Sequence, residues 1–494
     1  SFPPSSPFAI YSNVAWHSEA WDARDYGRDF DPSRPFFEQF AELQRAVPRP
    51  ALFVDHHRDV NSEYTNYAGL NKNCYLLFQS GINDGCLYGY FYEDCRDCAD
   101  CCVVHRSELC AELIESERCY TSAYLEQCEN CTESYFLDNC IGCRSCILCV
   151  NLRHKTHHIF NQPVSAEVYE EFRQKLQTAA GISELSQQFE EFRQQFPIRA
   201  SRTVRCEESS GHSLVDCVRA VECFDCRGLE DGRYAVHSFP PARDVVDCYA
   251  CGQCELIYEC QNVGIGAYDV KFSSHCVSNV RELTYCDQCW HSSELFGCVG
   301  IRGGKHCILN RQYSEVEYHE KVSEIVEHMK RTGEWGEFFP MKDAPIPYNL
   351  SLAQDYFPLS RDAALAQGLS WYEDDTPSVG GGEAPPSSLN SLTPDIHLST
   401  LQCNECGKGF RYTERELVIR RQLGIAPAGD CFFCRHRRRL QKRAPRALFE
   451  RQCEDCGVAV LSPYAADFPR AIICDECPLP DSATDLKGRT GPSP

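Results

Sequence analysis

Residues 101–128 read CCVVHRSELCAELIESERCYTSAYLEQC, and the fold turns on how this stretch is read. Cys101, Cys110, Cys119 and Cys128 stand nine residues apart. The runs between them show no 3.6-residue apolar period, so an amphipathic helix is excluded. The same step recurs in Cys86/Cys95, Cys131/Cys140/Cys149, Cys217/Cys226, Cys251/Cys260 and Cys289/Cys298/Cys307, ten pairs in all. Chance at this local density gives roughly four. A nine-residue repeat of this texture predicts a β-solenoid in which two repeats make about one coil and equivalent positions stack into ladders. Cysteine is small and apolar, so a ladder of thiols can fill the narrow interior of such a coil.

The repeat region is duplicated. At an offset of 149, Asp138, Cys140, Cys149, Val150, Arg153, His157, Ile159 and Asn161 match Asp287, Cys289, Cys298, Val299, Arg302, His306, Ile308 and Asn310. Each copy closes with a strand and a helix opening at serine, and Ser314 with Glu317 forms a capping box. Such helices are natural covers for open strand edges. The expected class is mainly β with capping helices: a duplicated, cysteine-laddered β-solenoid followed by a C-terminal zinc-ribbon module.

The expected divisions are 1–73 (an N-terminal segment with a helix from Pro35 to about Val47), 74–197 and 198–331 (the two solenoid copies), 332–375 (irregular, anchored by aromatics), 376–400 (a flexible linker), 401–480 (a double zinc ribbon) and 481–494 (a disordered tail). The formal net charge is -22. Residues 401–494 carry 16 basic against 12 acidic side chains, a net of +4, so the rest carries -26. The acidic body repels nucleic acid and anionic membrane, whereas a basic module can still bind either locally. No apolar run reaches the roughly 18–20 residues of a membrane span, so no membrane association is expected. The chain holds 35 cysteines, an odd number, and is far larger than the mini-domains that need disulfide staples. A reducing, cytoplasmic setting is expected. No signal peptide starts at Ser1, but residues upstream remain open because the chain does not begin with Met.

The strongest chemical signal is four Cys-x-x-Cys pairs: Cys403/Cys406, Cys431/Cys434, Cys453/Cys456 and Cys474/Cys477. Two such knuckles supply four thiolates to one tetrahedral zinc, so two structural zinc ions are expected. Gly407 and Gly457 give each first knuckle a permissive backbone. Which pairs share an ion stays open. Arg435, Arg437, Arg438, Arg439, Lys442, Arg443 and Arg446 follow a knuckle directly. They read either as a phosphate-contacting segment or as a solvated helix or an arm docked on the acidic body. Cys140, Cys143, Cys146 and Cys149 have iron–sulfur spacing, but the duplicate keeps only Cys289 and Cys298 at matching positions. A ladder tolerates that loss and a cluster does not. Cys248, Cys251 and Cys254 are read the same way. No phosphate-binding glycine loop, nucleophile elbow or other catalytic constellation is present, so an enzyme is not the leading expectation.

The chain resembles uncharacterised Cys-rich, zinc-ribbon-bearing proteins of uncultivated small-genome bacteria. The resemblance rests on Asp25–Asp31 followed by Pro35–Phe40, Asn61–Asn66 with Asn73–Tyr75, Gly333–Pro340, Tyr356–Leu359 and Cys431–His436. It implies no activity. It does imply a ribbon-like module ahead of Asp25: Phe2–Ala15 aligns without gaps to Tyr464–Cys477, with Ser12 and Ala15 in place of Cys474 and Cys477. The leading expectation is a non-enzymatic zinc-binding protein. Its basic segment would contact nucleic acid or a ribonucleoprotein, and its solenoid would offer a surface to a protein partner. The alternatives are a thiol-rich metal-buffering or redox protein and a structural, self-assembling solenoid.

Overall fold

Every third side chain from Cys98 onward is driven inward: Cys98, Cys101, Val104, Ser107, Cys110, Leu113, Ser116 and Cys119 are all buried. The residue before the next inward one takes positive φ, as at Asp100, Val103, Arg106, Leu109, Glu112, Glu115 and Arg118. Each such kink costs on the order of 1 kcal/mol for a non-glycine residue. Continuous strand pairing and burial offset that cost. The structure, a computed structural model, describes residues 2–3, 6–54, 58–238, 242–250, 280–373 and 382–480, with the backbone of 257–258.

The first stack contains β1 (Tyr75–Phe78), β2 (Leu87–Glu93), β3 (Arg96–Ala99), β4 (Cys102–His105), β5 (Glu108–Ala111), β6 (Ile114–Glu117), β7 (Tyr120–Glu126), β8 (Tyr135–Asp138), β9 (Arg144–Val150) and β10 (Thr156–Ile159). The chain is mostly β, and β2, β3, β5, β7, β6 and β4 pair in a closed six-stranded parallel barrel. Pairing advances by twelve residues, as in Cys98↔Cys110↔Ser122 and Tyr90↔Cys102↔Ile114. The nine-residue spacing read as half a coil is therefore corrected. It is twelve minus three, the diagonal between neighbouring ladders. The step of twelve is itself written in Cys74/Cys86/Cys98/Cys110 and Cys119/Cys131/Cys143. Bridges with this step begin at Val60↔Lys72, inside the segment expected to precede the stack.

The diagonal has a physical cause. The Cys110 thiol donates to the carbonyls of Glu108 at 3.3 Å and Cys119, nine residues on, at 3.4 Å. Serine serves the same ladder: Ser107 Oγ donates to the His105 carbonyl and accepts from Cys119 N. Small side chains with a donor satisfy backbone carbonyls in a space too narrow for more. Where Tyr92 enters the interior, Gly89 makes room, since a Cβ there would stand 2.2 Å from the ring.

The second stack repeats the plan through residues 203–246 and 281–308, with β11 (Arg281–Thr284), β12 (Ser293–Phe296) and β13 (Lys305–Ile308) again twelve apart. Cys251, Cys254, Cys260 and the tail 481–494 lie outside the described residues, as do linker positions 376–381. Residues 382–400 do not run free: Ala179 and Leu389 exchange backbone bonds with Ser387 and Gln177.

Packing extends the duplication beyond the matched repeats. Helices α1 (Phe36–Ala46) and α3 (Ala179–Arg193, after α2, Ala166–Lys175) are equivalent at the 149 offset, with Phe36, Phe40 and Gln44 matching Leu185, Phe189 and Arg193. Phe189 packs on Phe136 of the first stack, and Phe36 packs on Tyr285, the equivalent of Phe136, and on Phe296. The N-terminal helix thus completes the second stack as α3 completes the first. Helix α4 (Glu315–Thr332) starts at the expected capping box.

Replacing Cys110 with Ala should lower stability by about 2 kcal/mol, because it removes a donor and leaves a void. Cys110→Ser, which keeps a donor the ladder already uses, should cost less than half of that in denaturant midpoints. Equal costs would show that the thiol's hydrogen bonds contribute nothing.

Candidate metal centres and the basic clasp

Two short hairpins present four of the eight C-terminal cysteines, Cys403, Cys406, Cys453 and Cys456. Leu401–Gln402 pairs with Gly409–Phe410, and Phe449–Gln452 pairs with Ala459–Ser462. Gly407 and Gly457 turn the knuckles at φ of 71° and 76°. Cys431 sits at the N-cap of α6 (Phe432–Gln441), which follows α5 (Glu414–Leu423), and Cys434 lies in its first turn. The thiols gather as Cys403, Cys406, Cys431 and Cys434, and as Cys453, Cys456, Cys474 and Cys477, each set within 4.8 Å. Pairing is sequential, and the interleaved alternative falls away.

The spacing suits a tetrahedral ion. A Zn–S bond of about 2.3 Å implies S···S edges of about 3.8 Å. The observed edges include 3.8 Å for Cys406–Cys431 and 3.7 Å for both Cys453–Cys477 and Cys456–Cys474, far beyond a disulfide bond of about 2.05 Å. Burial opposes ionisation of Cys453, but backbone N–H groups of Cys456, Cys474 and Asp455 outweigh it and draw the thiol down to about 6. Both sets could hold metal ions, and four sulfur donors leave no open position for substrate. Among the described residues, Cys140, Cys143, Cys146 and Cys149 do not gather in this way. Burial pushes Cys102 up to about 11 and Cys101 and Cys128 well above the usual thiol range.

The basic residues turn inward. Arg435 Nε and Arg439 Nη2 donate to Asp100 Oδ1 at 3.0 and 3.2 Å, and Arg420 Nη2 donates to Oδ2 at 3.1 Å. Asp100 is completely buried. Burial alone would raise its pKa, but the three guanidinium groups hold it below the usual carboxylate range. Arg439 also meets Glu112 at 2.7 Å, Lys442 meets Glu126 at 2.8 Å, and Arg443 meets Glu115 at 3.0 Å and Asp225. Arg446 meets Asp225 at 3.2 Å and lies 3.3 Å from the centroid of Tyr356. Arg437 and Arg438 remain exposed and pair with Glu405 and Asp430 of their own module. Five of the seven residues singled out for nucleic acid are thus engaged with carboxylates of the two stacks.

The partners Asp100, Glu112, Glu115, Glu126 and Asp225 were not legible from the nine-residue reading. A twelve-residue register would have set Asp100 beside Glu112 on one outward ladder.

The ribbons also dock by strand pairing. Ile472–Ile473 runs parallel to Ile198–Arg199, and its aligned counterpart Ile10–Tyr11 runs parallel to Arg49–Pro50, 149 residues earlier. Each docking carries a buried ion pair, Arg470–Asp138 at 2.6 Å and Arg49–Asp287 at 2.5 Å, on equivalent aspartates. In the N-terminal counterpart, Ser12 caps the short helix Asn13–His17 instead of binding metal.

No family model, curated protein or solved structure matches this chain. Among the described residues, no helix is long and apolar enough to cross a membrane.

Two measurements test the clasp and the centres. Cys431→Ser should halve the metal bound per chain by elemental analysis, with the loss confined to the set of Cys403, Cys406, Cys431 and Cys434. Burial works against ionised Glu126, yet Lys442 and Arg193 hold it down to about 2, below its ordinary 4.5. Its stabilisation is therefore full above pH 4.5 and lost as pH falls toward 2. Glu126→Gln should be less stable than wild type at pH 7, and the gap should close over that interval.

Proposed function

We propose that this chain is a non-enzymatic, zinc-stapled scaffold whose C-terminal module is clasped onto two stacked β-solenoids wound at about twelve residues per coil. The fixed register of the strand pairs supports the solenoid reading. The observation that carries the functional reading is the burial of Arg435, Arg439, Arg443 and Arg446 among body carboxylates. A guanidinium already desolvated by a carboxylate is a poor phosphate ligand, because a phosphate would first have to break the buried pair. Zinc at Cys431 and Cys434 would fix the start of α6 and so aim Arg435 and Arg439 at Asp100. The outward faces of the solenoids would then be free for a protein partner. Nucleic-acid contact through Arg435, Arg439, Arg443 and Arg446 requires this clasp to open, which leaves Arg437 and Arg438 as the basic side chains a closed protein offers.

Burial of the ladder thiols favours a scaffold over a metal buffer or redox protein, both of which need accessible thiolates. No described cysteine forms a disulfide, which fits a reducing compartment such as the cytoplasm.

The zinc-loaded protein should show no salt-sensitive binding to RNA or DNA, and removal of both ions with a chelator should open residues 401–480 to protease. Tight nucleic-acid binding by the loaded protein, with a steep salt slope that Arg437→Gln and Arg438→Gln abolish, would overturn the scaffold reading in favour of nucleic-acid contact.

A further inference from the structure

The two stacks meet along their left-handed corners. From the first, Phe91, Val103 and Glu115 recur at twelve residues, and from the second Ser213, Asp225 and His237 do the same. The rows touch where Phe91 stacks on His237, with ring centroids 3.7 Å apart. Beside that contact lies a cavity of about 30 Å³ lined by both stacks, including His105, Glu115, Arg202, Ser213, Asp225, Arg227 and Ser238. A water needs about 10–15 Å³ on this measure, so the space has room for roughly two or three waters or one small ion.

The charges on its walls are already sorted. Glu115 accepts from Arg443 at 3.0 Å and from Gln127 at 3.3 Å. The two oxygens of Asp225 accept from Arg443 and Arg446. The basic segment thus occupies the lining carboxylates. The donors are far from saturated. Arg202 gives one side-chain hydrogen bond, to the Glu115 carbonyl at 2.7 Å, with Nη1 also 4.0 Å from the Glu115 carboxylate, and Arg227 gives one, to Glu117 at 2.9 Å. Each guanidinium has five N–H groups. Ser238 Oγ is buried with no hydrogen-bond partner. Nearby, His212 accepts at Nδ1 from Arg202 N, so its proton sits on Nε2, which is buried without a hydrogen bond and 4.0 Å from Glu115 Oε2. Among the described residues, the histidines and carboxylates here do not converge as metal ligands.

We propose that this seam is a binding site for a small tetrahedral oxyanion of the phosphate class, held by Arg202 and Arg227 with the hydroxyls of Ser213 and Ser238. Excess N–H and O–H donors around a small polar cavity favour an anion, and planar guanidinium groups match paired phosphate oxygens. The anion would sit at the seam, since its donors Arg202, Arg227, Ser213 and Ser238 come from the second stack while Phe91, Val103 and His105 wall the cavity from the first. Bound there, it would stabilise the folded chain in proportion to its occupancy.

The probe is inorganic phosphate, titrated calorimetrically into the full zinc-loaded chain with chloride held at matched ionic strength. The expected result is saturable binding of one phosphate per chain. Arg202→Gln with Arg227→Gln should weaken it at least tenfold while zinc content and the number of protected thiols stay at the wild-type values. Ser238→Ala, which touches no ion pair, is the second variant and should weaken binding several-fold should the arginine variant fail to fold. Absence of saturable binding to the wild type overturns the proposal. So does unchanged affinity in a folded arginine variant or in Ser238→Ala, either of which would place phosphate on other surface arginines. Acetate binding as tightly as phosphate would overturn the phosphate-class assignment.

Discussion

An inward side chain at every third residue, followed by a left-handed corner, is the constraint on which the rest of this protein depends. It fixes a pairing step of twelve and a narrow interior. That interior selects side chains by two properties at once: small volume, and a donor for the carbonyls that face inward. Cysteine and serine meet both, which is why Ser107, Ser122 and Ser134 share ladders with thiols, while Val104, Leu113 and Leu125 fill other inward positions with apolar bulk alone. The abundance of cysteine thus has a packing cause in the stacks, while the C-terminal module gathers its eight into two sets of four that could hold metal ions. Burial pushes ladder thiols such as Cys101, Cys102 and Cys128 toward the protonated form, while backbone N–H groups stabilise the Cys453 thiolate.

The corners also determine how the protein is assembled. Each left-handed residue projects outward, so residues twelve apart form outward ladders, and Asp100 with Glu112 and Glu115 with Val103 lie on them. A buried carboxylate is costly unless paired, and removing one partner of such a pair costs about 3–5 kcal/mol. Three arginines on Asp100, and the Arg470–Asp138 and Arg49–Asp287 pairs at the two ribbon dockings, therefore serve orientation more than net stability. Equivalent aspartates meet arginines from unrelated positions in the chain. The duplicated surface has kept its acceptor while different segments supply the donor. In the same way α1 fills on the second stack the place that α3 fills on the first.

The class of structure and the metal ligands were legible because both are written in short-range spacing. Cys-x-x-Cys is a local geometry, and a strand's alternation or a helix's capping box spans a few residues. The capping box of Ser314 with Glu317 is legible for that reason. The twelve-residue register was obscured because the diagonal donor bond at nine residues leaves a denser cysteine signal than the ladder at twelve.

Sequence by itself therefore determined that the chain is mostly β, that it is duplicated, and that its last eight cysteines form two sets of four. Only the tertiary structure decided what the basic segment faces. Arg435 and Asp100 are 335 residues apart, and Arg443 and Asp225 are 218 apart. A run of arginines looks the same on paper whether it faces solvent, a phosphate or a buried carboxylate. The choice is made by which outward ladder folds against it, and the same packing of two stacks created the polar seam from residues that no local pattern connects.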